Sequence, residues 1–354
     1  MEINPRSQRL LKAARREPVD ETPVWMMRQA GRSLPAYLEI RRRFGFIEIM
    51  NEPELCARVT LMPLDVMEVD AAIMFADIMT PVAALGMEYR LEEGVGPRVP
   101  YPIRSSAELD RLTVIPPAEA IPELMQAIKL VRAELEGVVP LIGFAGAPFT
   151  LASYLIEGKP TKDFTITRSL MTGEPGLWHR LMDTLAVMII DYLGAQVDAG
   201  IQAFQLFDSW VGELSPSEYR EYVLPHSRRI FDQTAALGVP RIHFGTRTGP
   251  FLEAMAEPGA EVVGVDSLIP LDEAWRRIGY DRAIQGNLDP EILLSANPDE
   301  IVNAVDSVIN AAGGRLGHLF NLGHGILPKT PLKNLQLMVD RVHESSASAT
   351  KRPE

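Results

Sequence analysis

The chain has 354 residues, of which 46% are hydrophobic and 23% are charged, a composition typical of globular proteins. Its net charge of −12 argues against a general nucleic-acid-binding protein, because such proteins need a basic face. The single cysteine, Cys56, excludes a disulfide within the chain and suits a reducing cytoplasm. The N-terminal residues lack the apolar stretch of a signal peptide and no run reaches membrane-spanning length, so we expect a cytoplasmic protein without membrane contact.

Short apolar runs recur along the chain and are separated by longer stretches with helical spacing. Continuously apolar runs are typical of parallel strands that are covered on both faces. The eight candidate strands are 23–27, 71–76, 140–145, 203–207, 239–244, 261–265, 283–285 and 319–322. Strand and helix alternating eight times predict an α/β protein with a single (β/α)8 barrel over residues 1–343. The alternative on pattern alone is an open doubly wound sheet.

Two stretches depart from this alternation. Residues 87–103 contain Gly94 and Gly96 and predict a β-hairpin excursion from the barrel. Residues 344–354 are small, polar and charged, and we expect them to form a disordered tail.

Polar residues gather just past the carboxyl ends of the candidate strands. The loops at this face build the active site in (β/α)8 barrels. We therefore expect a cleft there, lined from several strands. These residues are Arg28, Asp77, Asp208, Ser209, Asp266, Asn287, Asp289 and His324.

The loop after the first candidate strand reads MRQAGRSLP and spans residues 27–35. Arg28 and Arg32 offer planar guanidinium groups that match carboxylates or phosphates, and Gly31 permits close backbone approach. A solvated basic loop is the simpler interpretation of two arginines. In an acidic protein, at the functional face of a barrel, we favour an anion site.

This loop and four later motifs resemble the uroporphyrinogen decarboxylase family. The motifs follow one another in the family's order over nearly the whole chain. They are PVWMMRQAGR at 23–32, GFAGAPFT at 143–150, FDSW at 207–210, QGNLDP at 285–290 and NLGHG at 321–325.

The resemblance implies a distorted (β/α)8 barrel, a homodimer and a deep cleft at the carboxyl face. It also implies an enzyme that converts the four acetate arms of uroporphyrinogen III to methyl groups, for haem biosynthesis, without a metal or organic cofactor. The family's catalytic positions match Asp77 and Arg28. Its substrate-contacting positions correspond to Arg28, Gln29, Ala30, Gly31, Arg32, Phe46, Asp77, Tyr154, Ser209 and His324.

The residues suit this chemistry. Uroporphyrinogen has eight carboxylates and four pyrrole N–H groups, so it needs cations around its arms and one acceptor at its centre. Asp77 follows an apolar run and can be that acceptor, although a helix cap is the structural alternative. The proton donor stays open among Arg28 acting through water, His324 and Tyr154, because an arginine is a reluctant acid.

Two other functions fit the same fold class. A methyltransferase acting on a cobalamin or thiol would use zinc with thiolate ligands, but Cys56 stands alone, and no His-x-Cys pair occurs. A non-enzymatic barrel could bind a tetrapyrrole or a protein without releasing carbon dioxide. Anaerobic incubation with uroporphyrinogen distinguishes the three.

Overall fold

A computed structural model describes residues 4–92 and 94–349. The strands are β1 (Ala72–Ile73), β2 (Arg90–Glu92), β3 (Gly96–Arg98), β4 (Leu141–Gly146), β5 (Ala203–Asp208), β6 (Arg241–Gly245), β7 (Val262–Gly264), β8 (Ala283–Leu288) and β9 (His318–Leu322). The α-helices are α1 (Arg6–Ala14), α2 (Pro35–Arg41), α3 (Phe46–Asn51), α4 (Pro53–Leu61), α5 (Ser106–Leu109), α6 (Pro117–Ala120), α7 (Pro122–Glu134), α8 (Pro148–Glu157), α9 (Thr165–Gly173), α10 (Pro175–Ala199), α11 (Pro216–Tyr222), α12 (Leu224–Thr234), α13 (Leu252–Ala256), α14 (Leu271–Ile278), α15 (Pro298–Ala312) and α16 (Leu332–Ala349).

Seven of these strands form one parallel sheet in the order β1-β4-β5-β6-β7-β8-β9. The order follows the chain without reversal, whereas a doubly wound sheet reverses its order at a switch point. The strand residues are almost all buried, because helices cover the outer face and side chains fill the inner one. The α/β class is therefore confirmed.

The sheet is strongly curled. Strands β5 and β8 are three steps apart in the sheet, which would be about 14 Å in a flat one. Yet Nε2 of Gln285 on β8 donates to Oε1 of Gln205 on β5 over 2.8 Å. Trp25 extends this line, since its Nε1 donates to Oε1 of Gln285 over 3.0 Å. Only a sheet rolled around these side chains brings them into contact.

Segment 23–27, expected to be the first of eight strands, forms a single parallel bridge from Val24 to Phe320 of β9. On its other side, side chains replace the backbone partners of a neighbouring strand. Val24 N donates to Oδ2 of Asp70 over 2.8 Å, and Met26 N donates to Oε1 of Gln29 over 2.9 Å. The hydrogen-bond ladder between segment 23–27 and β1 is therefore incomplete, because side chains occupy some of its positions. The described residues contain seven paired barrel strands instead of eight.

Local sequence explains where helices begin and end. Helix α15 is capped by Asn297, whose Oδ1 accepts from the N–H of Asp299 over 3.1 Å, and Pro298 supplies the first helical residue. It ends at Ala312, and the C-cap residue Gly313 has a φ of 63°, a left-handed angle that glycine adopts readily. Helix α4 ends at Leu61, and the chain continues as a 3-10 turn from Met62. Pro63 explains the change, because it has no N–H to continue the α-helical hydrogen bonds.

Residues 87–103 contain the two short antiparallel strands β2 and β3. This excursion attaches to the end of α8, since Val99 N donates to the carbonyl of Gly158 and Ile103 N to that of Leu155, both over 2.9 Å. It therefore supports the helix that carries Tyr154.

The C-terminal segment differs from the expected disordered tail, because α16 continues to Ala349. Two serines tie the helix to the barrel. The hydroxyl of Ser345 donates to Asp306 over 2.7 Å, and that of Ser346 accepts from the N–H of Thr22 over 2.9 Å. These long-range bonds favour helix in a stretch whose composition suggests disorder. The remaining residues of the expected tail, 350–354, lie outside the described part of the chain.

Candidate active site

The loop that follows segment 23–27 bends sharply and displays two arginines. Arg28, Gly31 and Arg32 have φ values of 68°, 127° and 49°, all in the left-handed region. Such angles are unfavourable for residues with a Cβ and persist only where surrounding structure holds them. Gly325, next to His324, allows the approach, since a Cβ there would lie 2.4 Å from Cδ of Arg28. The backbone is therefore shaped to place Arg28 against the loop after β9.

Gln29 faces the interior instead of the cleft. Its side-chain oxygen accepts from Met26 N over 2.9 Å, and its Nε2 donates to the carbonyl of Ala71 over 2.8 Å. The residue is 1% exposed, so its amide group is directed into the protein. The side chain thus braces the arginine loop against the strand that leads to Asp77.

Asp77 lies four residues beyond Ile73, the carboxyl end of β1. Its Oδ1 accepts from the N–H of Met79 over 2.8 Å, and its own N–H donates to Thr80 Oγ1 over 3.2 Å. Desolvation raises the pKa of Asp77 to about 6, although the Met79 bond and the charge of Arg28 act in the opposite direction. The turn-forming role anticipated as the structural alternative is present. The raised pKa of Asp77 means that desolvation outweighs the stabilisation of its charge by this turn.

Arg28 interacts electrostatically with the other polar residues of the cleft. Desolvation and then the charge of Arg32 lower the pKa of Arg28 to about 10, while Asp77 and Tyr154 oppose this. Desolvation also lowers the pKa of His324, with Arg28 as the next cause. Arg28 and His324 are both exposed to solvent, so water reaches this group of charged residues. Residues from the first, second, third and last strand regions therefore come within electrostatic range of one another at the carboxyl face of the sheet.

Tyr154 and Trp210 form one wall. Their rings are 6.0 Å apart and meet edge to face. The pKa of the Tyr154 hydroxyl is raised, mainly by desolvation. The Trp210 side chain acts in the opposite direction as a nearby donor, and the charge of Asp77 adds to the rise. The hydroxyl consequently stays protonated at neutral pH and lies within electrostatic range of Asp77.

Three phenylalanines from neighbouring strands form an apolar floor. The ring of Phe207 on β5 lies 5.5 Å from that of Phe144 on β4 and 6.0 Å from that of Phe244 on β6. Phe207 is only partly buried, while its two neighbours are buried. The backbone N–H of Gly146 donates to the carbonyl of Ile78, which places the Asp77 turn beside this floor.

The remaining candidates lie at the margin of the cleft. Phe46 is partly exposed at the start of α3, with its ring 4.6 Å from that of Phe75. Ser209 is half-buried, and its carbonyl accepts from the hydroxyl of Thr246 over 2.7 Å. Ala30 is half-buried within the arginine loop. None of these three side chains titrates near neutral pH, so they offer a ligand contact surface and, at Ser209, a hydroxyl.

Several polar strand-end residues serve the fold. Asp266 accepts from the backbone N–H groups of Arg247 and Leu268. The amide of Asn287 donates to the carbonyls of Asp266 and Ile269, each over 2.7 Å. Because these groups are satisfied internally, position at a strand end does not by itself make a ligand.

Sequence reasoning missed Trp210, Phe207 and Tyr89. Trp210 and Phe207 flank Asp208 and Ser209 in the FDSW motif, so the motif was a usable signal. Tyr89 had none. Desolvation and the charge of Asp77 raise its pKa, so it lies beside a residue twelve positions away that local patterns do not connect to it.

Membrane-spanning helices and metal-binding clusters would point to other functions. No helix in the described ranges is long and apolar enough to cross a membrane. Among the same residues, no group of three or more His, Cys, Asp or Glu side chains has a metal-binding arrangement.

Comparison with known proteins gives one family. The family model described as uroporphyrinogen decarboxylase (URO-D) matches residues 5–345. Relatives named uroporphyrinogen decarboxylase include those of Sorangium cellulosum, 50% identical over 335 residues (95% of each chain), and Carboxydothermus hydrogenoformans, 48% identical over 338 residues (95% of this chain, 96% of that one). That of Thermus thermophilus is 47% identical over 338 residues, covering 96% and 98%. Among solved structures, a methyltransferase from Methanosarcina mazei has a TM-score of 0.78 at 23% identity, covering 96% and 98%, which shows a shared fold alone.

Proposed function

The chain belongs to the uroporphyrinogen decarboxylase family, and on that basis we propose that it converts the four acetate arms of uroporphyrinogen III to methyl groups, giving coproporphyrinogen III and carbon dioxide for haem biosynthesis. The structural observation that carries the proposal is the setting of Asp77. A carboxyl group with a raised pKa lies across the cleft from Arg28, beside an apolar floor.

This cleft matches the substrate part by part. The flexible macrocycle packs on the apolar floor around Phe207, where burial of carbon surface contributes about 25 cal/mol per Å². Arg28 and Arg32 bind carboxylate arms, for which the planar guanidinium is suited. Asp77 accepts the pyrrole N–H groups at the centre. Backbone groups of Gln29, Ala30 and Gly31, together with Phe46, Tyr154, Ser209 and His324, complete the contacts.

The reaction needs an electron sink, and the pyrrole ring supplies it. Addition of a proton to a ring carbon beside the acetate-bearing carbon makes the ring cationic. The bond from the acetate methylene to the carboxylate then breaks, carbon dioxide leaves, and the electron pair neutralises the ring as an exocyclic methylene. Protonation of that methylene and loss of the added ring proton leave a methyl group. Each cycle consumes one proton and releases one carbon dioxide, and no cofactor is required.

Asp77 and Arg28 are the catalytic residues of this scheme. The Asp77 carboxylate stabilises the cationic ring, a preorganised interaction of the kind that is worth about 3–4 kcal/mol. Arg28, with a pKa of about 10, stays charged at neutral pH and is a stronger acid than an ordinary arginine. It holds the departing carboxylate and passes a proton through water. The pKa of His324 is lowered, so its imidazole is neutral at pH 7. In this scheme His324 therefore contacts the substrate and is not the proton donor.

The finer architecture follows the same proposal. Residues 1–343 form one distorted (β/α)8 barrel, in which segment 23–27 closes the gap between β9 and β1. Its support is the bridge from Val24 to Phe320 on one side and the bond from Asp70 N to the carbonyl of Val24, 2.7 Å, on the other. The protein works as a homodimer in the cytoplasm, which light scattering and fractionation test.

The deciding experiment is anaerobic incubation with uroporphyrinogen III, with separation of products by carboxylate number and with EDTA present throughout. We expect seven-, six-, five- and four-carboxylate products and stoichiometric carbon dioxide. Binding without carbon dioxide release would support a carrier barrel. Loss of activity with EDTA, restored by one metal, would contradict the cofactor-free scheme.

A further inference from the structure

The motif GAPFT continues into α8, and two of the helix's residues share one face. Thr150 and Tyr154 are four residues apart, so their side chains lie one turn above the other. Thr150 is fully buried, and Tyr154 is 7% exposed at the cleft. The proposed function assigns a role to Tyr154 but none to Thr150.

The hydroxyl of Thr150 joins two residues of the loop after β5. It donates to Oδ1 of Asp208 over 3.1 Å and accepts from the backbone N–H of Trp210 over 3.4 Å. Because a hydroxyl has one proton, its donation to Asp208 leaves a lone pair for the N–H of Trp210. Asp208 is 0% exposed, and its other oxygen lies 3.7 Å from Nε2 of the equally buried His243. Full burial leaves the carboxylate little room to move, and its Oδ1 is the acceptor that directs the Thr150 hydroxyl.

Trp210 carries this arrangement to the cleft. Its indole packs edge to face on Tyr154, and the Trp210 side chain acts to lower the pKa of the Tyr154 hydroxyl, as a nearby donor does. On the other side its ring lies 5.4 Å from that of Phe164. Tyr154 is in turn within electrostatic range of Asp77 and Arg28. A continuous set of contacts thus runs from Asp208 through Thr150 and Trp210 to Tyr154.

We propose that Thr150, oriented by Asp208, is a positioning residue that sets the Tyr154 hydroxyl in the cleft by holding the backbone of Trp210. Thr150 and Asp208 do not touch the substrate. The sequence predicted Asp208 as one of the polar residues at the functional face. Because Asp208 is fully buried, it acts on the reaction only indirectly, through Thr150 and Trp210. The inference rests on the proposed decarboxylase activity.

Thr150→Val tests it, because valine keeps the shape and removes both hydrogen bonds. We expect kcat/KM for uroporphyrinogen to fall at least about tenfold, since displacement of a reacting group by about 1 Å can cost a hundredfold. Thr150→Ser retains the hydroxyl and is expected to stay within about twofold of wild type. Thr234→Val is the matched control, because Thr234 is also fully buried in a helix and bonds only to helix carbonyls, Ile230 at 2.7 Å.

Tryptophan fluorescence provides a readout that does not depend on activity. Trp25, Trp178 and Trp275 are fully buried, and Trp210 is the remaining tryptophan of the chain's four, half-buried at the cleft. Acrylamide quenching should therefore report on Trp210. It is expected to increase in Thr150→Val and to stay unchanged in Thr234→Val.

Trp210→Phe keeps an aromatic wall but removes the indole N–H, and it tests the last link even if Thr150→Val folds poorly. We expect a loss of at least about tenfold in kcat/KM, with little further loss in the Thr150→Val, Trp210→Phe double variant. Losses that multiply would overturn the proposal, as would Trp210→Phe within twofold of wild type. A wild-type protein that releases no carbon dioxide contradicts the proposed function, whereas an active wild type with an indifferent Thr150→Val contradicts only this inference.

Discussion

Asp77 and Arg28 face each other across the cleft without forming an ion pair. No contact of 4.0 Å or less joins their charged atoms within the described residues, yet each influences the pKa of the other. Because the Asp77 carboxyl group and the Arg28 guanidinium group are not bound to each other, both are available to a ligand that lies between them.

Asp77→Asn should abolish most of the activity while the fold persists. Asparagine keeps the size of the side chain and can still accept from the N–H of Met79, so the lost contribution is mainly charge. We expect the first decarboxylation step to slow at least about a hundredfold. Asp77→Glu should also be impaired, because it moves the charge by about one bond toward the macrocycle. Single-turnover rates measure both, with circular dichroism as the check on folding. Near-normal turnover in a well-folded Asp77→Asn protein would return Asp77 to a turn-forming role.

The same variant should be more stable than wild type at neutral pH. The pKa of Asp77 is about 6 in the folded protein and near 3.8 when unfolded, so the folded state binds more protons between these values. Stability therefore falls as pH rises through this window, and Asp77→Asn avoids that loss. We expect a gain of roughly 1–3 kcal/mol at pH 7.5 that shrinks toward pH 4, measured by thermal melting.

Asp266→Asn is the matched control for this melting experiment. Asp266 accepts from two backbone N–H groups through different oxygens, and an amide can accept only one of them. It should lose stability at pH 7.5. Destabilisation of both variants to a similar extent would show that Asp77 is a structural carboxylate.

The acid limb of kcat/KM should lie near pH 6. This parameter reports ionisations of the free enzyme, and the scheme needs Asp77 as an anion. Below pH 6 we expect a fall approaching tenfold per pH unit. The limb of kcat should lie lower, because bound pyrrole N–H groups favour the carboxylate. His324→Gln should retain the limb, since the lowered pKa of His324 is the competing explanation. Disappearance of the limb in that variant would assign it to the histidine.

Arg32→Ala should weaken binding more than turnover. Arg32 is half-buried at the edge of the loop and holds an arm in ground and transition states alike, so its loss should raise KM about tenfold or more with a small change in kcat. Steady-state kinetics with uroporphyrinogen III measures this. A collapse of kcat at constant KM would make Arg32 a catalyst.

Gln29→Leu should separate bracing from ligand binding. It removes the two hydrogen bonds that hold the arginine loop, so we expect lower thermal stability together with a higher KM. Asn334→Leu removes a similarly buried amide that donates to the carbonyls of Leu293 and Ser295. This control should lose stability without a change in KM. Equal effects of both variants on KM would mean that the brace has no specific role at the loop.

The sequence alone determined the alternating α/β plan, the positions of the strands and the family. Seven of the eight apolar runs overlap the paired strands, and the family model matches residues 5–345. These features depend on residues a few positions apart, through side-chain periodicity, capping and backbone sterics, and that information is contained in a short stretch of chain.

Only the tertiary structure decided how those residues are used. It turned Gln29 inward, replaced part of the expected first strand with bonds from Asp70 and Gln29, and placed Tyr89 and Trp210 beside the candidate site. It also raised the pKa of Asp77, which no local pattern could indicate. Desolvation and hydrogen-bond partnership depend on which distant segments converge on a group, and convergence of that kind exists only once the sheet has curled.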